Sequence, residues 1–278
     1  MTGRRRARLA LAGALAGRAA LAGASALGAR PAGAPWARTN FAGRPVTLLG
    51  GPALAVSATA TAILGAPPGT KAAAALVGGV SGLVGGYDDL AGARPEQARD
   101  KGLAGHLRAL RGGRVSAGAV KVAGISAAAM SAAALTRRSS GAGSVADAVV
   151  TTGLIAGTAN LVNLLDLRPG RAAKAGILAA GATVGGPAGG LVAGPLGATL
   201  AVLPDDLGER VMLGDCGANA LGALLGLRLS LLPGRATRAG LLAAVIGLTL
   251  ASEKVSFTQV IEATPGLREL DRLGRRPT

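Results

Sequence analysis

Asp88 and Asp89 stand side by side at the end of an apolar run, 72–84, that carries no charge. Two adjacent carboxylates repel each other unless a cation lies between them or water reaches both. Hard oxygen donors of this kind suit Mg²⁺ or Mn²⁺. The alternative chemistry is structural: a solvated turn in which one of the pair caps the next helix. Two further acids, Asp166 and Asp215, stand beside other apolar runs. Carboxylates at the ends of membrane helices are expensive unless they are hydrated or bind a cation, so their convergence points to a metal–phosphate site.

The elements that must position these acids are apolar helices. The chain of 278 residues is 50% hydrophobic with 46 glycines, and long windows such as 45–69 and 175–204 contain no charge. Mean hydropathy is +0.45. The composition predicts an all-α, polytopic membrane bundle, packed through Ala and Gly that let helix backbones approach closely. About nine transmembrane helices are expected, at 9–29, 46–64, 72–86, 122–135, 145–165, 174–185, 191–203, 218–232 and 239–251. The first is interrupted by Arg18, which needs a partner or must snorkel to the interface; its basic, apolar and small-residue order also resembles a signal peptide. Residues 1–252 are read as one transmembrane domain and 253–278 as a charged cytoplasmic tail.

The net charge of +16 on a soluble protein would suggest nucleic acid. With aromatic residues at 1%, there is little to stack on bases, so no nucleic-acid partner is expected. Basic loops beside apolar spans suit anionic lipid headgroups and phosphate substrates. A single cysteine, Cys216, excludes an intramolecular disulfide and a thiolate zinc cluster. Counting spans as hairpins puts Asp88, Asp89, Asp166, Asp215 and the tail on one membrane face. That face carries most of the Lys and Arg, which makes it cytoplasmic and leaves the basic N-terminus outside.

Three segments then resemble a known family. Gly85-Gly86-Tyr87-Asp88-Asp89, Asn160-Leu161-Val162-Asn163-Leu164-Leu165-Asp166 and Leu213-Gly214-Asp215-Cys216-Gly217 occur in the order found in the polyprenyl-phosphate N-acetylhexosamine-1-phosphate transferases, the family of the phospho-N-acetylmuramoyl-pentapeptide translocase. The stretch from Gly43-Arg44-Pro45 to Gly50-Gly51 resembles that family's first cytoplasmic loop. The resemblance implies a plasma-membrane, multi-pass enzyme of glycosyltransferase family 4 acting in cell-wall biogenesis. It implies transfer of a sugar-1-phosphate from a nucleotide sugar, a UDP-sugar, to undecaprenyl phosphate, with release of UMP. It further implies Asp88, Asp89 and Asp215 as catalytic residues, Asp215 and Asp89 as ligands to Mg²⁺ or Mn²⁺, and Asn160, Asn163 and Asp166 as substrate contacts. Lys101, Arg168 and Arg171 are expected to hold phosphates. A homodimer is compatible with this reading.

The sequence departs from the family in two places. Pro169 replaces an acid expected after the asparagine segment, and the family's His-rich loop and final helix are missing; His106 is the single histidine. Pro169 offers neither a side-chain acceptor nor an N–H, so Arg168 and Arg171 are expected to grip a donor diphosphate. Two other readings stand beside the transferase: a non-catalytic binder of polyprenyl phosphate or of an envelope-synthesis partner, and an ion-coupled transporter, which would place acids near mid-span.

Overall fold

A computed structural model describes residues 1–91, 116–140 and 144–276. It is nearly all-α. Helix α1 (Gly3–Gly28) leads into a 3-10 turn (Pro31–Trp36) and a small antiparallel hairpin, β1 (Ala37–Thr39) and β2 (Pro45–Thr47), in which Arg38 faces Val46. Then follow α2 (Gly50–Gly65), α3 (Lys71–Ala91), α4 (Ala117–Ser140), α5 (Val145–Leu165), α6 (Arg171–Thr183), α7 (Gly190–Leu207), α8 (Gly214–Ser230), α9 (Arg235–Ser252), α10 (Phe257–Ala263) and α11 (Leu267–Arg272).

Helix α8 is the axis of the bundle, touching α2, α3, α5, α6, α7 and α9. It is apolar on every side and buried from Cys216 through Arg228, as a helix surrounded by others must be. Leu154 and Ile155 of α5, Leu191 of α7, and Leu221, Leu224 and Leu227 of α8 form the centre of the core. Packing is by backbone approach. A Cβ at Gly13 would lie 1.9 Å from the Gly194 carbonyl oxygen, so α1 and α7 meet where neither carries a side chain.

Several boundaries differ from expectation. Residues 45–47 join the hairpin, so α2 starts at Gly50. Asp88 and Asp89 lie within α3, on its last turn and a half, rather than beyond its end. Helix α7 runs through Pro204 to Leu207. Pro204 forfeits one amide bond, but Arg18 and Arg210 hold Asp205 at 2.8 Å each and pin the turn that follows. That contact also answers the question raised by Arg18, which pairs with Asp205 inside one continuous α1.

The expectation of nine spans is not met by length. Among the described residues, three helices are long and apolar enough to cross a membrane: Gly3–Gly28, Ala117–Arg137 and Val145–Leu165. A fourth appears if α9 and α10, bent by 98°, are counted as one. Helix α6 has 13 residues, about 20 Å at 1.5 Å per residue, against a hydrocarbon core of about 30 Å. The tail is also not a bare extension, since α10 and α11 fold back onto the bundle.

Candidate functional site

Helix α8 begins at Gly214, whose φ of +56° favours glycine and where a Cβ would stand 2.9 Å from the Asp89 carboxylate oxygens, and no residue of its own caps it. The cap comes from α3. Both carboxylate oxygens of Asp89 accept amide hydrogens from the first turn, Oδ1 from Asp215 and Oδ2 from Cys216, each at 2.9 Å. This satisfies two orphan donors and sets a negative charge on the positive end of the helix dipole. A Cβ at Gly85 would stand 2.3 Å from the Asp215 carbonyl oxygen. The Gly-Gly-Tyr-Asp-Asp and Gly-Asp-Cys-Gly segments are therefore two sides of one contact.

Asp88 and Asp215 meet through a cation supplied by the chain itself. The Lys121 ammonium, on the first turn of α4, lies 2.6 Å from Asp88 Oδ2 and 2.5 Å from Asp215 Oδ2. Lys121 is not among the site residues expected from the sequence. Its signal was a lone Lys between Val120 and Val122 inside an apolar run.

Asp166 closes α5, its amide donating to the Asn163 carbonyl at 3.0 Å. Its carboxylate accepts the Gly214 amide, close enough to Asp206, Asp215 and Asp89 for their charges to act on it. Asp206 of α7 is 1% exposed and accepts the Gly170 amide. Asp166 Oδ2 and Asp206 Oδ2 are both shielded from water and receive no donor. Asp206 is a site residue not among those expected from the sequence. Burial first, then the charge of Asp206, holds the Asp166 carboxyl well above the usual carboxylate range.

This has a consequence for stability. A raised carboxyl keeps a proton in the folded state that the unfolded chain has already lost, so stability falls as pH rises above about 4. Asp166→Asn removes that penalty. Thermal unfolding in detergent should show a higher Tm than the native chain at pH 7.5, with the gap closing toward pH 4. An equal or lower Tm at pH 7.5 would contradict the assignment.

The remaining expected residues divide. Asn160 is exposed and Asn163 half-buried; three residues apart on α5, they share a face that leads to Asp166. Arg168 is half-buried, its guanidinium 4.2 Å above the Phe41 ring. Arg171 is not open to a substrate. It is 4% exposed, forks onto Asp271 at 2.8 and 3.1 Å, and gives a third bond to Thr258. Lys174 donates to the Leu270 and Asp271 carbonyls, and Arg275 to the Pro169 carbonyl. The 167–174 loop is thus tied to the tail, and the expected diphosphate grip of Arg171 gives way to a buried ion pair. Lys101 and His106 lie outside the described residues.

The hairpin also reaches the site. Arg38 donates to the Asp89 carbonyl, Arg44 pairs with Glu209 at 3.0 Å, and Thr47 bridges Val211. The Gly43-Arg44-Pro45 segment is therefore held beside the start of α8. Neither any model of a known protein family nor any curated protein matches this chain.

Beside the acids opens an apolar groove between α2 and α3, with a volume of about 640 Å³. Its walls run from Ile63 and Gly78 past Ala55 and Gly82 to Gly86, Tyr87 and Cys216, with Trp36 at the end nearest the carboxylates.

Among the described residues, no group of three or more His, Cys, Asp or Glu side chains is arranged to hold a metal ion. Asp89 is committed through both oxygens as a helix cap, and Lys121 lies between Asp88 and Asp215. The donor type nevertheless fits: Asp166 and Asp206 each keep a buried oxygen without a donor, and hard oxygens in that state are what Mg²⁺ or Mn²⁺ takes.

Proposed function

We propose that this chain is an integral membrane transferase that moves a sugar-1-phosphate from a nucleotide sugar, a UDP-sugar, to a polyprenyl phosphate and releases UMP. An oxygen of the lipid phosphate forms a bond to the sugar-bearing phosphorus, and the bond from that phosphorus to the nucleoside monophosphate breaks. The observation that carries this reading is a juxtaposition: an apolar groove sized for an isoprenoid segment is lined by Gly86, Tyr87 and Cys216, the chain neighbours of Asp88 and Asp215, which Lys121 joins. A lipid lying in the groove brings its phosphate to Asp88, Asp215 and Lys121.

The residues have distinct tasks. Asp89 fixes the start of α8 against α3. Lys121 offers a cation to phosphate oxygens and holds Asp88 and Asp215 in place. Asp166 and Asp206 carry the oxygens that would take part in holding Mg²⁺ or Mn²⁺, while Asp215, engaged by Lys121, would meet the lipid phosphate. Such an ion, when bound, neutralises charge between two phosphate-bearing reactants. Arg168, with its fork above Phe41, is placed to meet a donor phosphate. The plasma membrane is the setting, with α1 to α9 alternating in direction and the acids on the cytoplasmic face; the shorter helices are accommodated by a locally thinned bilayer.

A second reading is favoured by one observation. Lys121 already supplies a cation to Asp88 and Asp215, as a protein that binds polyprenyl phosphate without turnover would need. Both readings place lipid in the groove, and both are tested there. Gly79 lines the groove, and nothing lies within 4 Å of a Cβ built on it. Gly79→Phe should therefore fill the groove without disturbing the packing, and weaken polyprenyl phosphate binding by at least about tenfold, since a ring of this size displaces several methylenes at about 0.8 kcal/mol each. Unchanged lipid affinity in a folded Gly79→Phe protein would remove the groove from both readings.

A further inference from the structure

At the end of the bundle remote from the acids, the loop between α6 and α7 borders a second cavity of about 420 Å³. Leu231, Leu232 and Pro233 line one side, residues 185–188 the other, and Arg228 stands in its wall. Arg228 is 4% exposed. Its Nε donates to the Thr183 carbonyl at 2.8 Å and its Nη2 to the Gly185 carbonyl at 2.9 Å. A second guanidinium reaches the same loop: Arg6 of α1 donates Nη2 to the Gly186 carbonyl at 2.8 Å, and its Nε is buried with no hydrogen-bond partner. Arg6 is the charge that acts on Arg228.

Capping explains part of this arrangement. Arg228 satisfies the last carbonyls of α6, as a basic residue at a helix C-terminus does. Capping does not explain two cations drawn to one loop with neither paired to a carboxylate among the described residues. Asp147, the carboxylate described at this end, is held by Arg235 and Arg238 at 2.9 and 3.1 Å. A buried charge without a counter-ion is costly, and neutral carbonyls do not cancel it. Among the described residues no carboxylate supplies that anion.

We propose that this cavity is an anion site that takes a phosphate group, held by Arg228 in its wall with the charge of Arg6, bound to the same loop at Gly186, beside it. The group is a phosphodiester or phosphomonoester, borne by an anionic lipid or free in solution. The site is independent of the transferase reading, since it lies at the opposite end of the bundle and shares no residue with the acid cluster.

The test uses the full-length protein in detergent, read by thermal unfolding against increasing ligand. The arms are dioctanoyl phosphatidylglycerol, inorganic phosphate and pyrophosphate, with dioctanoyl phosphatidylcholine as the zwitterionic control. Saturable stabilisation by phosphatidylglycerol alone identifies a lipid headgroup; stabilisation by phosphate or pyrophosphate as well identifies the phosphate group itself. Arg6→Gln and Arg228→Lys should each weaken the response by about tenfold or more, the expected loss of one charge-assisted bond. Arg228→Lys keeps a charge and a donor for the α6 carbonyls, so it preserves the cap while removing the fork. Arg4→Gln, which removes an exposed charge two residues from Arg6, should leave affinity unchanged. No saturable stabilisation in any anionic arm, or equal weakening by Arg4→Gln and Arg6→Gln, would overturn the proposal.

Discussion

Asp215→Asn should abolish transfer, lowering the rate by at least about a thousandfold while the fold survives. The scale is that of removing a principal electrostatic contact to a reacting phosphoryl group. The amide keeps the shape of the carboxylate and removes its charge. Its backbone N–H, which Asp89 caps, is untouched, so α8 starts where it did. What changes is electrostatic: Lys121 loses one of its two carboxylates, and the ammonium and the charge proposed to meet the reacting phosphate are no longer held together. Release of nucleoside monophosphate, followed beside circular dichroism, separates the two effects. A variant with near-native turnover would reduce Asp215 to a helix-terminal residue.

Lys121→Met should be the most damaging single change to stability in the site. The substitution keeps length and removes the ammonium that lies between Asp88 and Asp215. The two acids are then left as close neighbours with their shared cation gone, and the ion pair is largely buried, with the lysine side chain 16% exposed. Breaking a buried pair from one side costs about 3 kcal/mol or more. The double variant Lys121→Met with Asp88→Asn should recover part of that loss, because it also removes one of the two acids. The cycle is read by denaturant unfolding of the four proteins in detergent. Additive losses with no recovery would show that Lys121 contributes packing rather than charge.

How far the sequence foretold these features depended on whether their causes were local. Helix α5 came out at 145–165 because Ser144 and Asp147 cap one end and Asp166 closes the other, all legible within a few residues. The need of Arg18 for a partner was legible; its identity as Asp205, across the α1–α7 contact, was not. The structure brings Asp88, Asp89, Asp166 and Asp215 together, the grouping expected from the sequence. Lys121 and Asp206 were overlooked because their roles come from carboxylates and amides on other helices. Arg171 was assigned to phosphate because Asp271, 100 residues away, has no local signature pointing at it. Of the nine spans read from hydropathy, three or four have the length and apolar character to cross a membrane among the described residues. Ala and Gly runs read as membrane segments wherever charge is absent, yet they close into helices as short as the 13 residues of α6.

The most direct measurement of the central claim is turnover. The purified protein is incubated with undecaprenyl phosphate, Mg²⁺ and a panel of nucleotide sugars, and both the released nucleotide and the lipid product are identified. The transferase reading predicts equal amounts of UMP and a pyrophosphoryl-linked sugar lipid from a UDP-sugar, absent with Asp215→Asn. Binding of undecaprenyl phosphate with no nucleotide released from any donor would contradict it and leave a lipid-phosphate binding protein.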